Sequence, residues 1–294
     1  MKTIVYIICD TRSGSTLLGD MLSKSPDVFF GGELQNIGGY LYEKGTGASW
    51  NYSCSCGDSL RCCQFWRKIL SNRNIMNFDK KFDTLIEWKF NKRFAIRYLI
   101  SLKKNNYIKK LLKNSCKKRI LNNIENLYET IFSIGKSKYI IDSSKRPWQA
   151  LQIYKYTSFK IKFIYLKRDI KAVTISKLKW DKCQSSIYKQ ATYFFSTYVY
   201  NLICCRMIKM INPHNLMEIT YENLTKNPKE SISLIFDFLG IENYYFSKYM
   251  DCKKGHSIGG TPTRFKKRPI IYDERWKNEI EKMPMLKVLG KYFG

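Results

Sequence analysis

The sequence lacks an apolar run long enough to cross a bilayer. Its longest uncharged stretch, Gln190 to Cys205, contains Gln, Ser, Thr and Asn, and it is shorter than the roughly 20 residues that a membrane span needs. The start of the chain is apolar for only about seven residues before a turn-and-helix pattern, which predicts a first strand rather than a signal peptide. We therefore expect a cytoplasmic protein in which Gln190 to Cys205 forms a buried helix.

Acidic residues are also scarce. Against 52 Lys and Arg there are 24 Asp and Glu, which gives a formal net charge of +28. This excess favours polyanionic partners such as nucleotides, nucleic acid, sulfated glycans or acidic lipid surfaces. Residues 80–119 hold 14 basic residues and only two acidic ones, Asp83 and Glu87, so part of the excess is one local basic face. A compositional bias displayed on solvated surface explains the charge equally well, so charge alone does not identify a partner.

The chain alternates short β-branched or aromatic runs with helical patterns. Hydrophobic residues make up 44% of the 294 residues, which is enough for a sizeable core. This alternation is typical of βαβ units in a parallel sheet, and no repeat or linker divides the chain. We predict one α/β domain over residues 1–294, with a helical and loop insertion around residues 40–135. The predicted strands are Thr3 to Cys9, Val28 to Phe30, Tyr139 to Ile141, Lys162 to Leu166 and Leu216 to Ile219; the predicted helices include Ser15 to Ser23, Asp83 to Tyr128 (two or three helices), Ser185 to Met210, Pro228 to Leu239 and Tyr272 to Lys282.

The strongest local motif is Asp10-Thr-Arg-Ser-Gly-Ser-Thr, at the junction of the first strand and first helix. Small residues allow a tight turn, so the N–H groups at the helix start and the hydroxyls of Ser13, Ser15 and Thr16 can surround a phosphate. The spacing is not that of a Walker A loop, because the cation, Arg12, precedes Gly14. The pattern therefore predicts a nucleotide-phosphate site, and its spacing weakens the case for a kinase or another NTPase.

This loop resembles the 5′-phosphosulfate-binding loop of sulfotransferases that use 3′-phosphoadenosine 5′-phosphosulfate (PAPS), a family with a P-loop NTPase-like α/β fold. The segment Phe163-Ile-Tyr-Leu-Lys-Arg-Asp, with the helix after it, is similar to the family's 3′-phosphate-binding unit. The resemblance implies that Arg168 and Ser176 contact that phosphate, and an Arg at a strand's carboxyl end can bind it with two parallel hydrogen bonds. The tail from His256 to Phe265 resembles the loop that covers the nucleotide in bacterial members, which implies a second contact from Arg264. For Arg168, the alternative is a surface ion pair with Asp169.

Two further residues are predicted to act on the transferred group. Glu33, after Phe29-Phe-Gly-Gly, lies where related carbohydrate and tyrosyl-protein sulfotransferases carry a general base; the alternative is a structural carboxylate that holds Arg12 or a loop amide. Lys145 lies in a segment, Ile140-Ile-Asp-Ser-Ser-Lys, that resembles the one next to the leaving phosphate. With Arg12 and Lys145 as cations, no metal is expected in the reaction.

Four cysteines lie within ten residues, at Cys54, Cys56, Cys62 and Cys63. A soft metal such as Zn²⁺ could use them as thiolates. The C-x-C spacing comes with neither a second C-x₂-C pair nor histidines at ligand spacing, and this favours a disulfide or a set of packed thiols. For His256, a structural or nucleotide-side role is favoured over catalysis.

Two other function classes remain open on the sequence. A nucleotide or small-molecule kinase would share the strand, loop and helix, with Asp142 as the candidate Mg²⁺ ligand, but the Walker lysine is missing. A basic nucleic-acid-binding protein would explain the charge, although no recognition-helix or zinc-finger pattern occurs. We expect a nucleotide donor, no specific nucleic acid, and a hydroxyl acceptor for which carbohydrate comes first, a small metabolite second and a protein tyrosine third.

Overall fold

A computed structural model describes residues 2–37, 53–71, 118–242, 244–250 and 255–293. Its centre is a five-stranded sheet in which every neighbouring pair is parallel and the spatial order is β2-β3-β1-β4-β5. The strands are β1 (Thr3–Ile8), β2 (Val28–Gly32), β3 (Tyr139–Lys145), β4 (Lys160–Lys167) and β5 (Leu216–Thr220). The sheet confirms the predicted α/β fold class.

Helices connect the strands and cover both faces of the sheet. They are α1 (Ser15–Leu22), α2 (Gln64–Leu70), α3 (Lys118–Gly135), α4 (Pro147–Tyr156), α5 (Ile170–Trp180), α6 (Ile187–Ile208), α7 (Tyr221–Lys226), α8 (Pro228–Leu239), α9 (Arg275–Glu279) and α10 (Pro284–Phe293). A two-stranded antiparallel ribbon joins β6 (Tyr249–Met250) to β7 (Arg268–Pro269). Short 3₁₀ turns occur at Leu34–Asn36, Pro213–Asn215, Pro262–Phe265 and Ile280–Lys282.

The central strand β1 separates two apolar cores. Side chains alternate across a strand, so Ile4, Tyr6 and Ile8 pack on one side with α2, α3, α4 and α6, while Val5 and Ile7 pack on the other with α1 and α8. All five of these side chains are fully buried. This two-sided burial explains why β1 reads as a continuous apolar run, as buried parallel strands do.

The structure extends or corrects several sequence predictions. The strand predicted to end at Ile141 continues to Lys145, because its polar residues lie in the sheet and are buried. The helix predicted from Ser185 is half-buried rather than buried: in α6, Phe194 is inside while Phe195 is 42% exposed, since only one of its faces meets the domain. Of the predicted helices over residues 83–128, only the part from residue 118 falls within the described residues. Among those residues, no helix combines the length and apolarity needed to cross a membrane.

The carboxyl end of β2 is hydrogen-bonded to a distant segment, residues 255–265, which we call the carboxy-terminal segment. Ile258 bridges to Gly32 in parallel, with the Ile258 N–H donating to the Gly31 carbonyl at 3.0 Å and the Glu33 N–H donating to the Ile258 carbonyl at 2.8 Å. Gly32 has φ +78°, and a Cβ there would lie 2.0 Å from the Ile258 oxygen. Glycine is therefore required where the two backbones meet.

Candidate functional site

The predicted phosphate loop lies between the carboxyl end of β1 and the first turn of α1. Gly14 is the residue before the helix and has φ +97°, a left-handed conformation that turns the chain sharply. Ser13, Ser15 and Thr16 are buried in the loop and first turn. Because Gly14 has no side chain to cap the helix, the first-turn N–H groups and the positive end of the helix dipole suit an anionic ligand, as the sequence predicts.

Three predicted phosphate contacts, far apart in sequence, meet beside this loop. The Arg12 Nε–H donates to the Ser176 hydroxyl on α5 at 3.0 Å, and an Arg168 Nη1–H at the end of β4 donates to the Arg12 carbonyl at 2.8 Å. Burial, followed by repulsion from Arg168, lowers the pKa of Arg12. Neither guanidinium forms an ion pair with a carboxylate among the described residues. Two guanidinium groups held close together favour an anionic ligand, and the Asp273 carboxylate interacts electrostatically with Arg168 without forming an ion pair with it.

The alternative assignment of Arg168 to an ion pair with Asp169 is not realised. The Asp169 carboxylate caps α5 by accepting from the Lys171 N–H at 2.7 Å, and its nearest cation is Lys171, at 3.7 Å. The Arg168 Nε–H is buried and has no hydrogen-bond partner within the described part of the chain. Arg168 is therefore left to face the loop rather than its sequence neighbour.

Two aromatic residues that the sequence did not indicate as site residues hold these cations. The Arg168 guanidinium lies 4.1 Å from the ring centroid of Tyr221, and that of Arg12 lies 4.9 Å from the ring of Trp180. Tyr221 also lies under the loop, since a Cβ added at Gly14 would be 2.5 Å from its ring. Tyr221, the first residue after β5, thus positions both Arg168 and the loop.

Glu33 and Lys145, which lie 112 residues apart, form an ion pair at the carboxyl ends of β2 and β3. Their side chains are only 16% and 13% exposed, and the second Glu33 oxygen accepts from the Asn36 amide at 2.9 Å. Lys145 has φ +75° and Arg12 has φ +67°, a conformation that costs a non-glycine residue about 1–3 kcal/mol. Such backbone strain is concentrated at functional sites.

The carboxy-terminal segment packs on this group of residues. A Cβ added at Gly260 would lie 2.7 Å from the Thr16 hydroxyl, so the segment touches the first turn of α1. Arg264 is fully buried, donates an Nη2–H to the Ser53 carbonyl at 2.6 Å and lies over the Phe265 ring at 4.7 Å. These contacts anchor the segment to residue 53, and the nucleotide contact of Arg264 stays a prediction.

Two buried carboxylates support the site from below. Asp10 accepts from the Lys177 ammonium at 2.6 Å and from the Thr11 N–H at 2.6 Å. Asp142, the candidate Mg²⁺ ligand of the kinase alternative, accepts from the Tyr128 hydroxyl at 2.6 Å and from the Ser144 N–H at 2.8 Å. Complete burial raises the pKa of Asp142 to about 6. Both Asp142 oxygens are thus engaged within the protein.

A second cluster of reactive side chains lies beside the active-site candidates. Cys54, Cys56, Cys63 and His256 bring one sulfur or nitrogen atom each to within 4.8 Å of one another. The eight described cysteines are all free thiols. The histidine that the local spacing lacked comes from the segment 255–265, and the role of His256 stays a prediction.

Comparison with known proteins bears on the family and the fold of this chain. The profile of the "Sulfotransferase family" matches residues 5–245. Among solved structures, the sulfotransferase domain from the curacin biosynthetic pathway has a TM-score of 0.52 at 15% identity, covering 99% of this chain and 97% of that one. The sulfotransferase domain of the Synechococcus PCC 7002 olefin synthase also has a TM-score of 0.52, at 18% identity, covering 99% and 94%.

A search of curated proteins returned no match. At these identities the structural likeness establishes the fold, and the profile establishes the family, since it spans far more than half of the chain. The matched residues begin within β1 and contain the other four strands of the sheet completely. The chain belongs to the sulfotransferase family.

Proposed function

We propose that this protein transfers a sulfuryl group from PAPS to a hydroxyl acceptor. The observation that carries the proposal is the convergence of Arg12, Arg168 and Ser176 beside the start of α1. A donor with phosphate at both ends of its ribose needs two anion sites close together. The helix start and its loop, including Arg12, supply one, and Arg168 with Ser176 supplies the other.

In this proposal the donor lies in the crevice at the carboxyl ends of the strands, where open α/β sheets bind their ligands. The 5′-phosphosulfate is bound by residues 12–16, namely Arg12, Ser13, Gly14, Ser15 and Thr16. The 3′-phosphate is bound by Arg168 and Ser176, with Arg264 as a further candidate. The stacking of Arg168 on Tyr221 supports this assignment, because it fixes the guanidinium before the ligand arrives.

The chemical step is an in-line displacement at sulfur. The acceptor oxygen forms a bond to sulfur while the bond from sulfur to the bridging phosphate oxygen breaks, and the products are a sulfate ester and adenosine 3′,5′-bisphosphate. Glu33 takes the proton from the acceptor hydroxyl. Lys145, now paired with Glu33, stabilises the charge that develops on the leaving phosphate, together with Arg12. Their pairing supports this proposal, because it brings a base and a cation together at the carboxyl ends of β2 and β3, where the donor is placed.

The acceptor in this proposal is a carbohydrate or another small hydroxyl compound. The resemblance of the Glu33 segment to carbohydrate sulfotransferases supports that order. We place the acceptor on the side of the insertion around residues 40–135, within a single domain of residues 1–294. The free thiols of the described cysteines fit a reducing, cytoplasmic location.

The test of the donor is calorimetric binding of adenosine 3′,5′-bisphosphate, with AMP and ATP·Mg²⁺ as competitors. We expect micromolar or tighter binding that is lost without the 3′-phosphate. A preference for ATP·Mg²⁺ would instead favour the kinase alternative. Binding of DNA in low salt with no nucleotide preference would favour a basic nucleic-acid-binding protein.

The test of the reaction is release of adenosine 3′,5′-bisphosphate from PAPS in the presence of a panel of sugars and small alcohols. Release that depends on the acceptor, and that Glu33→Gln suppresses, would support the base assignment. Lys145→Met provides the second arm, with a loss of turnover greater than any loss of donor affinity. Turnover unaffected by both changes would remove this pair from the mechanism.

A further inference from the structure

We propose that Cys54, Cys56, Cys63 and His256 bind one structural Zn²⁺ ion that fastens the carboxy-terminal segment to the edge of the active site. The proposal concerns a metal outside the reaction, so it does not depend on the identity of the donor or the acceptor. It rests on the distances between the four ligand atoms, on the way their neighbours hold them, and on the two segments that they join.

Three of the six distances between the ligand atoms match a tetrahedral ion, and all six lie within 4.8 Å. With Zn–S near 2.3 Å and Zn–N near 2.0 Å, a tetrahedron separates two sulfurs by about 3.8 Å and a sulfur from a nitrogen by about 3.5 Å. The Cys56 and Cys63 sulfurs are 3.7 Å apart. The Nδ1 atom of His256 lies 3.5 Å from the Cys54 sulfur and 3.3 Å from the Cys63 sulfur. Three thiolates and one imidazole form a standard closed set for structural zinc, with no position left for a substrate.

A disulfide accounts for fewer of these observations. A disulfide needs its sulfurs about 2.0 Å apart, and it would use only two of the four groups. It would leave His256 and one thiol in the same pocket without a reason for their approach. Cys62, the neighbour of Cys63, is exposed and lies outside the group. Metal coordination explains why three of the four cysteines converge with a histidine while Cys62 stays outside the group.

The neighbouring residues fix the imidazole. The His256 ring stacks on Phe65, with centroids 4.7 Å apart and planes inclined by 2°. The Trp66 indole N–H donates to the His256 carbonyl at 2.8 Å. Both aromatic residues belong to α2, which begins directly after Cys63. The same helix thus orients the histidine and positions one of its thiol partners, as residues around metal ligands do.

The first two cysteines lie on a tight turn that also forms hydrogen bonds with the carboxy-terminal segment. The Cys54 N–H donates to the Asp58 carbonyl at 2.8 Å, and Gly57 turns the chain with φ +105°. The Ser55 N–H donates to the Ser257 carbonyl at 3.0 Å, and the Ser257 N–H donates to the Ser55 hydroxyl at 2.9 Å. Two segments about 200 residues apart in sequence are therefore joined by hydrogen bonds next to the cluster.

This location gives the ion a structural task. Closing a loop of this length costs chain entropy that a few hydrogen bonds offset poorly, whereas metal coordination contributes directly to folding. The segment that it holds carries Ile258, which bridges to Gly32 beside Glu33, and Gly260, which touches Thr16. Zinc would thus hold the carboxy-terminal segment against the end of β2, next to Glu33, and against the phosphate loop.

The first experiment is metal analysis of the full chain, purified with a tag that lacks histidine. We expect about one zinc per chain. Cys54→Ser, Cys56→Ser, Cys63→Ser and His256→Ala should each lose the metal, whereas the matched controls Cys62→Ser and His214→Ala should keep it. A metal-free chain before and after incubation with Zn²⁺ would overturn the proposal, as would equal loss in Cys62→Ser and Cys63→Ser.

Because a cluster variant could fail to fold, a second experiment uses the unaltered chain. After exchange of zinc for Co²⁺, we expect the intense visible bands of a tetrahedral cobalt–thiolate centre. Thiol titration of the denatured protein should count every cysteine as reduced. An octahedral cobalt spectrum, or a thiol count lower by two from a disulfide, would contradict the assignment.

A third readout tests the fastening itself. Removal of zinc with a chelator should speed hydrogen exchange of the Ile258 N–H, which donates to the Gly31 carbonyl, while amides in β4 stay protected. Unchanged exchange at Ile258 after complete removal of the metal would refute the fastening role.

Discussion

The contact between the end of β2 and the carboxy-terminal segment can be tested with a single added methyl group. Gly32→Ala puts a Cβ 2.0 Å from the Ile258 carbonyl oxygen, at a residue with φ +78°. The obstructing atom belongs to the backbone, so no side-chain rotation relieves the clash. The segment carrying Ile258 must then move away from β2.

The expected cost follows from the contacts that are lost. A left-handed backbone costs an L-residue about 1–2 kcal/mol relative to glycine. Separation also breaks the hydrogen bond from the Glu33 N–H to Ile258 and the one from the Ile258 N–H to Gly31, and each contributes about 1 kcal/mol. We therefore expect Gly32→Ala to lower the free energy of unfolding by about 3–4 kcal/mol.

Gly240→Ala is the matched control. Gly240 has φ +77°, nearly the same as Gly32, but an added Cβ there meets no atom within 4 Å. Gly240→Ala should therefore lower the free energy of unfolding only by the cost of the left-handed backbone, about 1–2 kcal/mol. The two free energies of unfolding are measured by urea denaturation, and the variants should differ by about 2 kcal/mol. Equal destabilisation would show that the Ile258 segment does not pack against Gly32, and would refute the reasoning.

Three further predictions concern individual side chains. Arg168→Ala should weaken adenosine 3′,5′-bisphosphate about 10- to 100-fold in calorimetry, the value of charged hydrogen bonds, but leave AMP unchanged; equal losses would mean that Arg168 only positions the loop. Glu33→Gln should lower turnover by about 10²- to 10⁴-fold without weakening the donor, and unchanged turnover would exclude it as the base. Because burial raises the pKa of Asp142 to about 6, the folded state binds its proton more tightly than the unfolded state. As the pH rises from 4 to 6.5, the free energy of unfolding of the wild type should therefore fall relative to that of Asp142→Asn, by on the order of 3 kcal/mol. Parallel pH profiles of the two proteins in urea denaturation would contradict this.

Much of the fold was predictable because it depends on local patterns. The helix Pro228–Leu239 has its predicted bounds, since proline can begin a helix and Gly240, at φ +77°, can end it. The strand β1 was predictable from its apolar run. The end of β3 was not, because Asp142, Ser143 and Ser144 are polar and their burial depends on partners that the local sequence does not contain.

The candidate site was predictable only in part, and for the same reason. Arg12, Arg168 and Ser176 were named from motifs, and the structure brings them together. Tyr221 lacked a polar signal, so its place under Gly14 became evident only from the packing of β5 against β4. Long-range neighbours of this kind leave no periodicity in a sequence.

The sequence by itself determined the alternation of strands and helices, the phosphate loop, and the cations suited to an anionic donor. These features depend on side-chain chemistry and on spacings of a few residues. The tertiary structure alone decided that His256 joins Cys54, Cys56 and Cys63, and that Glu33 pairs with Lys145. Each group joins segments more than 100 positions apart, so the proximity of its members is set by tertiary packing rather than by distance along the chain.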